Sequence, residues 1–193
     1  MKDLCGGLFC YDRVMKPQVY IFRGSPASGK GTVAPAFAQL LPKPVALIEQ
    51  DKLRWGFHLI GRSVEEVTSE EHRMAYENTL IMFDRYLRSG KYTIVVEGLF
   101  SWDNDSSNEG SVRHFKELAK KYGFDITSIV LRADREVLMK RNRERPIYTT
   151  PDDEFNALYD NVYSKIDESE IAIDSTHQTA EQTLDELRDR VRV

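Results

Sequence analysis

Short apolar runs alternate along the chain with longer segments whose apolar residues return every three or four positions. Five runs read as strands: Val19–Phe22, Val45–Ile48, Thr93–Val96, Ile126–Leu131 and Ile171–Ile173. They are nearly continuous rather than alternating with polar residues, the mark of strands covered on both faces. Lys30–Leu41 has a helical pattern, and Pro35 is expected to kink it because proline removes a backbone donor. Ser69–Ser89 carries a Leu80/Phe83/Leu87 stripe and stops at Gly90. Val112, Phe115, Leu118, Ala119 and Tyr122 recur at helical spacing, with Gly123 as the stop. Asp134–Arg145 reads as a basic helix ended by Pro146. Thr150 then serves as N-cap, and Pro151 as first residue, of a helix with Phe155, Leu158, Tyr159, Val162 and Ile166 on its apolar face. Thr179 and Gln182 cap a last helix carrying Ala180, Leu184, Leu187 and Val191 on one side. Strands alternating with helices predict an α/β fold, a parallel sheet with helices on both faces.

The sharpest chemical signal lies between the first strand and the first helix. Gly24-Ser25-Pro26-Ala27-Ser28-Gly29-Lys30-Gly31-Thr32 has the G-x-x-x-x-G-K spacing of a phosphate-binding loop. Glycines let successive amides turn inward toward phosphate oxygens, and the helix N-terminus adds positive potential. Lys30 would reach the β- and γ-phosphates. The residue after Lys30 is Gly31, so the hydroxyl that commonly binds Mg²⁺ is missing there and Thr32 follows. This Gly-Lys-Gly-Thr form resembles the adenylate kinase loop. The resemblance implies Thr32 near the α-phosphate, with Mg²⁺ held largely through water.

Further candidates follow at the carboxyl ends of the strands, where ligands gather in an open parallel sheet. Asp51 follows the second strand and can accept the proton of an attacking hydroxyl; it can equally cap the next helix. Arg54 lies one helical turn on, placed to neutralise or orient an acceptor. Glu97 ends the third strand, where it would hold the water shell of Mg²⁺, engage the acceptor or bond loop amides. Trp102, in the polar loop Phe100–Asn108, would either stack on an acceptor ring or pack inside the fold. Arg141 and Arg145 are four apart in the basic helix, so two guanidinium groups on one face could clamp a transferring phosphoryl group.

Taken in order, the phosphate loop, Asp-x-x-Arg, an apolar strand ending in Glu-Gly and Arg-x-x-x-Arg resemble the P-loop kinases of the polynucleotide kinase and zeta-toxin type. Chloramphenicol phosphotransferase and the gluconate and shikimate kinases are neighbours of that group. The resemblance spans about Gln18 to Thr176. It implies a three-layer α/β/α fold, a five-stranded parallel sheet in the order 2-3-1-4-5 and a small helical lid around residues 132–150. It also implies ATP and Mg²⁺ as cofactors, Asp51 as general base, Arg54 as an acceptor contact, and Arg141 and Arg145 closing from the lid. The expected reaction moves the γ-phosphoryl group to a hydroxyl of a small molecule. The alternatives are a kinase of nucleic-acid 5′ ends or nucleotide sugars, and a nucleotide-binding switch with no acceptor.

Composition narrows this reading. The chain has 193 residues, room for one domain. Residues Met1–Val14 read as an appendage before a domain over residues 15–193. Its two cysteines, Cys5 and Cys10, fit a reducing cytoplasm better than a stapled secreted fold. No apolar run approaches the ~20 residues that span a bilayer. The net charge of −4 argues against a polynucleotide partner. That charge is segregated: residues 132–145 sum to +3, and the stretch from Pro151 to the end sums to −8. Oligomeric state leaves no mark in the sequence.

Overall fold

The computed structural model describes residues 17–56, 66–146 and 148–193. The segment Met1–Val14, with both cysteines, lies outside the described residues. Five strands form one sheet: β1 (Val19–Arg23), β2 (Val45–Glu49), β3 (Thr93–Gly98), β4 (Ile126–Arg132) and β5 (Ile171–Asp174). Every pairing is parallel and the order is β2-β3-β1-β4-β5, as the family resemblance implies. All residues of the central strand β1 are buried, which is why its sequence shows no polar alternation.

Side chains leave β1 alternately for two cores. Val19 and Ile21 join Tyr76, Phe83 and Leu87 of α3 (Ser69–Ser89), and Val112, Phe115 and Ala119 of α4 (Val112–Lys121). Tyr20 and Phe22 pack on the opposite face, against Val33, Ala34 and Phe37 of α1 (Lys30–Leu40) and Leu187 of α7 (Ala180–Val191). The result is a three-layer α/β/α arrangement. A smaller cluster of Ala133, Leu138 and Phe155 joins α5 (Arg135–Arg143) to α6 (Asp152–Tyr163). Among the described residues no helix is long and apolar enough to cross a membrane.

Local signals set most helix ends. Thr68 and Glu71 close a reciprocal capping box on α3, and Gly90 ends that helix at φ 61. Thr179 and Gln182 do the same for the start of α7. Pro35 sits inside α1, and the helix continues past it to Leu40. Two expected boundaries shift. The basic helix ends at Arg143 rather than Arg145, because a residue preceding proline is driven out of the α region. The next helix starts at Asp152 with Pro151 as its cap residue. Thr150 instead donates its N–H to Asn142 Oδ1 at 3.2 Å and accepts from Asn142 Nδ2 at 2.7 Å. Ile166 lies beyond the end of α6 and is 37% exposed.

One buried ion pair ties these layers together. Arg23, at the end of β1, is fully buried. Its Nε donates to Glu170 Oε1 at 2.8 Å and its Nη2 to Glu170 Oε2 at 2.5 Å. Its remaining donors reach the carbonyls of Val162 and Lys165. Ser128 on β4 donates to the same carboxylate at 2.8 Å. Removing one partner of such a pair strands a buried charge, so Glu170→Met is expected to destabilise the fold by about 3–5 kcal/mol. Urea unfolding checks this, and adding Arg23→Met to that variant should restore part of the loss.

Candidate active site

The phosphate loop leaves β1 directly after the buried arginine. A Cβ on Gly24 would lie 2.4 Å from Ser28 Oγ and 2.7 Å from the Leu131 carbonyl, so only glycine fits there. Gly29 takes φ 88 and caps α1. Ala27 adopts φ 61, a left-handed conformation that costs a non-glycine residue about 1–2 kcal/mol. The loop is held by Ser28 N–H donating to Ser25 O at 3.2 Å, and by Thr32 and Val33 N–H donating to Gly29 O at 3.0 and 2.9 Å. Tyr163 on α6 accepts from Ser25 N–H at 3.1 Å and donates to Leu131 O at 2.6 Å. Among the described residues, the amides of Ala27, Gly29, Lys30 and Gly31 donate to no protein acceptor. The buried Ser28 Oγ also has no partner. The loop therefore presents unmet donors beside the buried Lys30, a cradle suited to phosphate.

Across the loop lies a cavity of about 680 Å³. Pro26, Ala27 and Lys30 form one wall. The short helix α2 (Gln50–Trp55) supplies Asp51, Arg54 and Trp55, and α3 supplies Ser69 and His72. Leu99 and Ser106–Glu109 come from the β3–α4 loop, Arg145, Tyr148 and Thr150 from the chain after α5, and Glu154, Ala157, Leu158 and Asn161 from α6.

Asp51 sits in the first turn of α2, and Glu49 is the N-cap residue. The capping reading of Asp51 therefore fails, and its carboxylate opens on the cavity with 38% of the side chain exposed. Burial by the surrounding walls pushes its pKa up, but Arg54, Lys30, Arg145 and His72 together hold it below the usual carboxylate value. Arg54 Nη1 donates to Asp51 Oδ1 at 3.1 Å, while Nη2 donates to Glu109 Oε2. The other Glu109 oxygen meets His72 Nδ1 at 2.9 Å. Gln50 Nε2 donates to the Glu109 carbonyl at 3.2 Å. Glu109 and His72 thus brace Arg54, which braces Asp51.

Glu97 is the residue before the last of β3 and is 2% exposed. Its Oε2 has no hydrogen-bond partner. Burial pushes its pKa up to about 7, against the pull of Lys30 and with a further push from Asp51 and Glu49. The two carboxyls are thus shifted in opposite directions: burial prevails at Glu97, whereas at Asp51 the four neighbouring positive groups outweigh it, and Arg54 is hydrogen-bonded to Asp51.

The profile of the AAA domain family matches residues 19–163, from the first residue of β1 to the last residue of α6. The chain belongs to the AAA domain family. Solved structures like it include a Chloroflexus aurantiacus protein provisionally named a kinase, at 19% identity and TM-score 0.67, covering 92% of this chain and 97% of the other. A sugar kinase from a Janibacter species has 18% identity and TM-score 0.62, covering 92% and 95%. A shikimate kinase of Bacteroides thetaiotaomicron has 19% identity and TM-score 0.56, covering 91% and 99%. At these identities the likeness is one of fold, and this AAA domain has the fold of P-loop kinases. The search of curated proteins finds no match.

In this AAA domain the residues singled out from the sequence divide into two groups. Lys30, Asp51, Arg54 and Arg145 meet around the cavity with Pro26 and Ala27. Arg141, Trp102 and Glu97 do not line it, nor do Gly24, Ser25, Ser28, Gly29, Gly31 and Thr32 of the loop. Arg145 lies past the end of α5, so it does not share a helical face with Arg141. Arg141 Nη2 instead donates to the Ser175 carbonyl at 2.8 Å, bracing the segment after β5. Trp102 packs in the core with its ring 4.1 Å from Lys116 Nζ. Thr32 is exposed on α1. The basic segment is mostly paired within the fold: Arg132 at the end of β4 with Asp174, Arg135 with Asp160 and Arg143 with Asp152. Glu109, His72 and Tyr163 carry no motif that sequence spacing could reveal, because each meets its partners across long chain separations.

The environment of Glu97 has a measurable consequence. Its folded value of about 7 lies above the ordinary 4.5. Through that window the folded chain keeps a proton that the unfolded chain releases, so stability falls as pH rises. Glu97→Gln keeps the group neutral and should gain on the order of 3 kcal/mol relative to the parent between pH 5 and pH 8. Urea unfolding at the two pH values checks this; an equal difference at both would show that Glu97 titrates normally.

Proposed function

We propose that this AAA domain is an ATP-dependent kinase that transfers the γ-phosphoryl group of a nucleoside triphosphate to a hydroxyl of a small molecule. The observation that carries the reading is Asp51: an ionised carboxylate on the cavity wall, held low in pKa and bordering the same cavity as Lys30. The kinase-named structures of the same fold support it.

In this reading the loop amides of Ala27, Gly29, Lys30 and Gly31, with the Lys30 ammonium, hold the β- and γ-phosphates. The acceptor lies in the cavity, with its hydroxyl against Asp51. The acceptor oxygen forms a bond to γ-phosphorus as the bond to the bridging oxygen of ADP breaks, and Asp51 takes the hydroxyl proton. Arg145 offsets the charge that develops on the phosphoryl oxygens. Arg54 orients Asp51, while Arg141 supports the segment after β5.

Mg²⁺ suits this site as a partner of the triphosphate. Among the described residues no group of three His, Cys, Asp or Glu side chains could hold a metal unaided. A magnesium ion brought by ATP needs only one or two carboxylates and water. Glu97, with its unpartnered Oε2, would supply one through water, and the ion would neutralise phosphate charge.

Asp51→Asn is expected to lower kcat by about 10²–10⁴-fold while ATP binding persists, and Lys30→Ala is expected to lose ATP binding. Product analysis across a library of hydroxyl compounds, with calorimetry for ATP, checks both. Acceptor-independent hydrolysis unaffected by Asp51→Asn would instead identify a nucleotide switch.

A further inference from the structure

Six charged side chains border the cavity: Lys30, Arg54, Arg145, Asp51, Glu109 and Glu154. Their formal charges cancel, but their positions do not. Under the kinase reading, on which this inference rests, Lys30 and Arg145 serve the triphosphate. Around the acceptor that leaves one cation and three carboxylates among the described residues.

That cation is already engaged. Arg54 bonds Asp51 through Nη1 and Glu109 through Nη2; its Nε has no partner but is buried out of reach, and only 12% of the side chain is exposed. Glu109 is itself held in place, 6% exposed, by His72 on its second oxygen. It cannot swing away from Arg54 without leaving His72. Glu154, on the exposed side of α6, makes no hydrogen bond or ion pair among the described residues. Among the described residues, an incoming carboxylate or phosphate would find no exposed, unengaged cation at this end and would face three carboxylates against one guanidinium. A neutral alcohol would find Asn108 and the hydroxyl hydrogen of Ser107, whose Oγ accepts from Asn161 Nδ2 at 2.9 Å, and an amine would find Glu154.

We propose that the acceptor is a neutral or amine-bearing alcohol with no anionic group, and that Glu109 sets this preference by occupying the outer nitrogen of Arg54. Like charges brought together in a partly desolvated site cost several kcal/mol. Adding a carboxylate to a compound that binds should therefore weaken binding by at least about tenfold. In Glu109→Gln the Nη2 donor of Arg54 is released from its carboxylate, and the penalty should shrink.

The test uses the full chain loaded with a non-hydrolysable ATP analogue. Hydroxyl compounds in matched neutral, amine and carboxylate forms are titrated and read by thermal shift. The expected result is binding by neutral and amine forms, a loss on adding a carboxylate, and a smaller loss in Glu109→Gln. Carboxylate forms that bind as tightly as their neutral partners would overturn the proposal, as would a penalty unchanged in Glu109→Gln. Should Glu109→Gln fail to fold, Glu154→Lys on the exposed face of α6 serves in its place, because it adds a cation at the same end and should also reduce the penalty. Turnover with ATP separates the two readings. A neutral binder that is never phosphorylated defeats the kinase reading and leaves the charge rule standing. A carboxylate compound that is phosphorylated defeats the charge rule and keeps the kinase.

Discussion

A guanidinium group placed where water cannot reach it needs a partner for every nitrogen, and each nitrogen of Arg23 has one. Its partners lie on the carboxyl end of α6 and on Glu170 just before β5, whereas Arg23 itself is the last residue of the central strand. One residue later the chain becomes the phosphate loop, and two residues later Tyr163 of α6 takes the Ser25 amide. The entrance of the loop is therefore held by the same helix whose Ala157, Leu158 and Asn161 line the cavity opposite. In such an arrangement the phosphate cradle and the far cavity wall are tied to one another. Loop geometry matters at the scale of an ångström in phosphoryl transfer, and a desolvated, fully bonded pair is a stiff way to hold it.

The charges of the site are ordered by contact rather than by number. Asp51 and Glu97 both lie near Lys30, but Arg54 bonds only Asp51. One carboxyl is kept ionised and the other is pushed toward neutrality by its dry surroundings. Glu109 adds to this, since it accepts from the second terminal nitrogen of Arg54 and fixes its orientation. The segregation of charge along the chain follows the same logic. The basic segment around α5 faces the acidic carboxyl-terminal third and pairs with it, so little of its charge is left for a ligand. Arg145 is the exception, carried past the helix end to the cavity by the Pro146 constraint.

The alternation of apolar runs and helical stripes was enough to place five strands and most helices, because burial on both faces of a parallel sheet imposes continuous apolar runs. Gly24–Thr32 was legible for a related reason: glycine freedom, a following lysine and a helix start are local requirements, met within nine residues. Asp51 and Arg54 were legible by position after β2. The face shared by Arg141 and Arg145 was misread, since one proline decides where the helix ends and hence which side Arg145 takes.

The sequence by itself thus determined the layered α/β architecture, the phosphate loop and the two α2 side chains that oppose it. All of these follow from periodicity and from chemistry within one turn. Only the tertiary structure decided that Glu109 meets Arg54 across 55 residues, that Arg23 meets Glu170 across 147, and that Tyr163 reaches back to Ser25. Such contacts depend on how parallel strands are ordered and how α6 returns over the sheet. Chain distance carries no record of either, because the free energy of these pairs comes from exclusion of water at a place that several distant segments must build together.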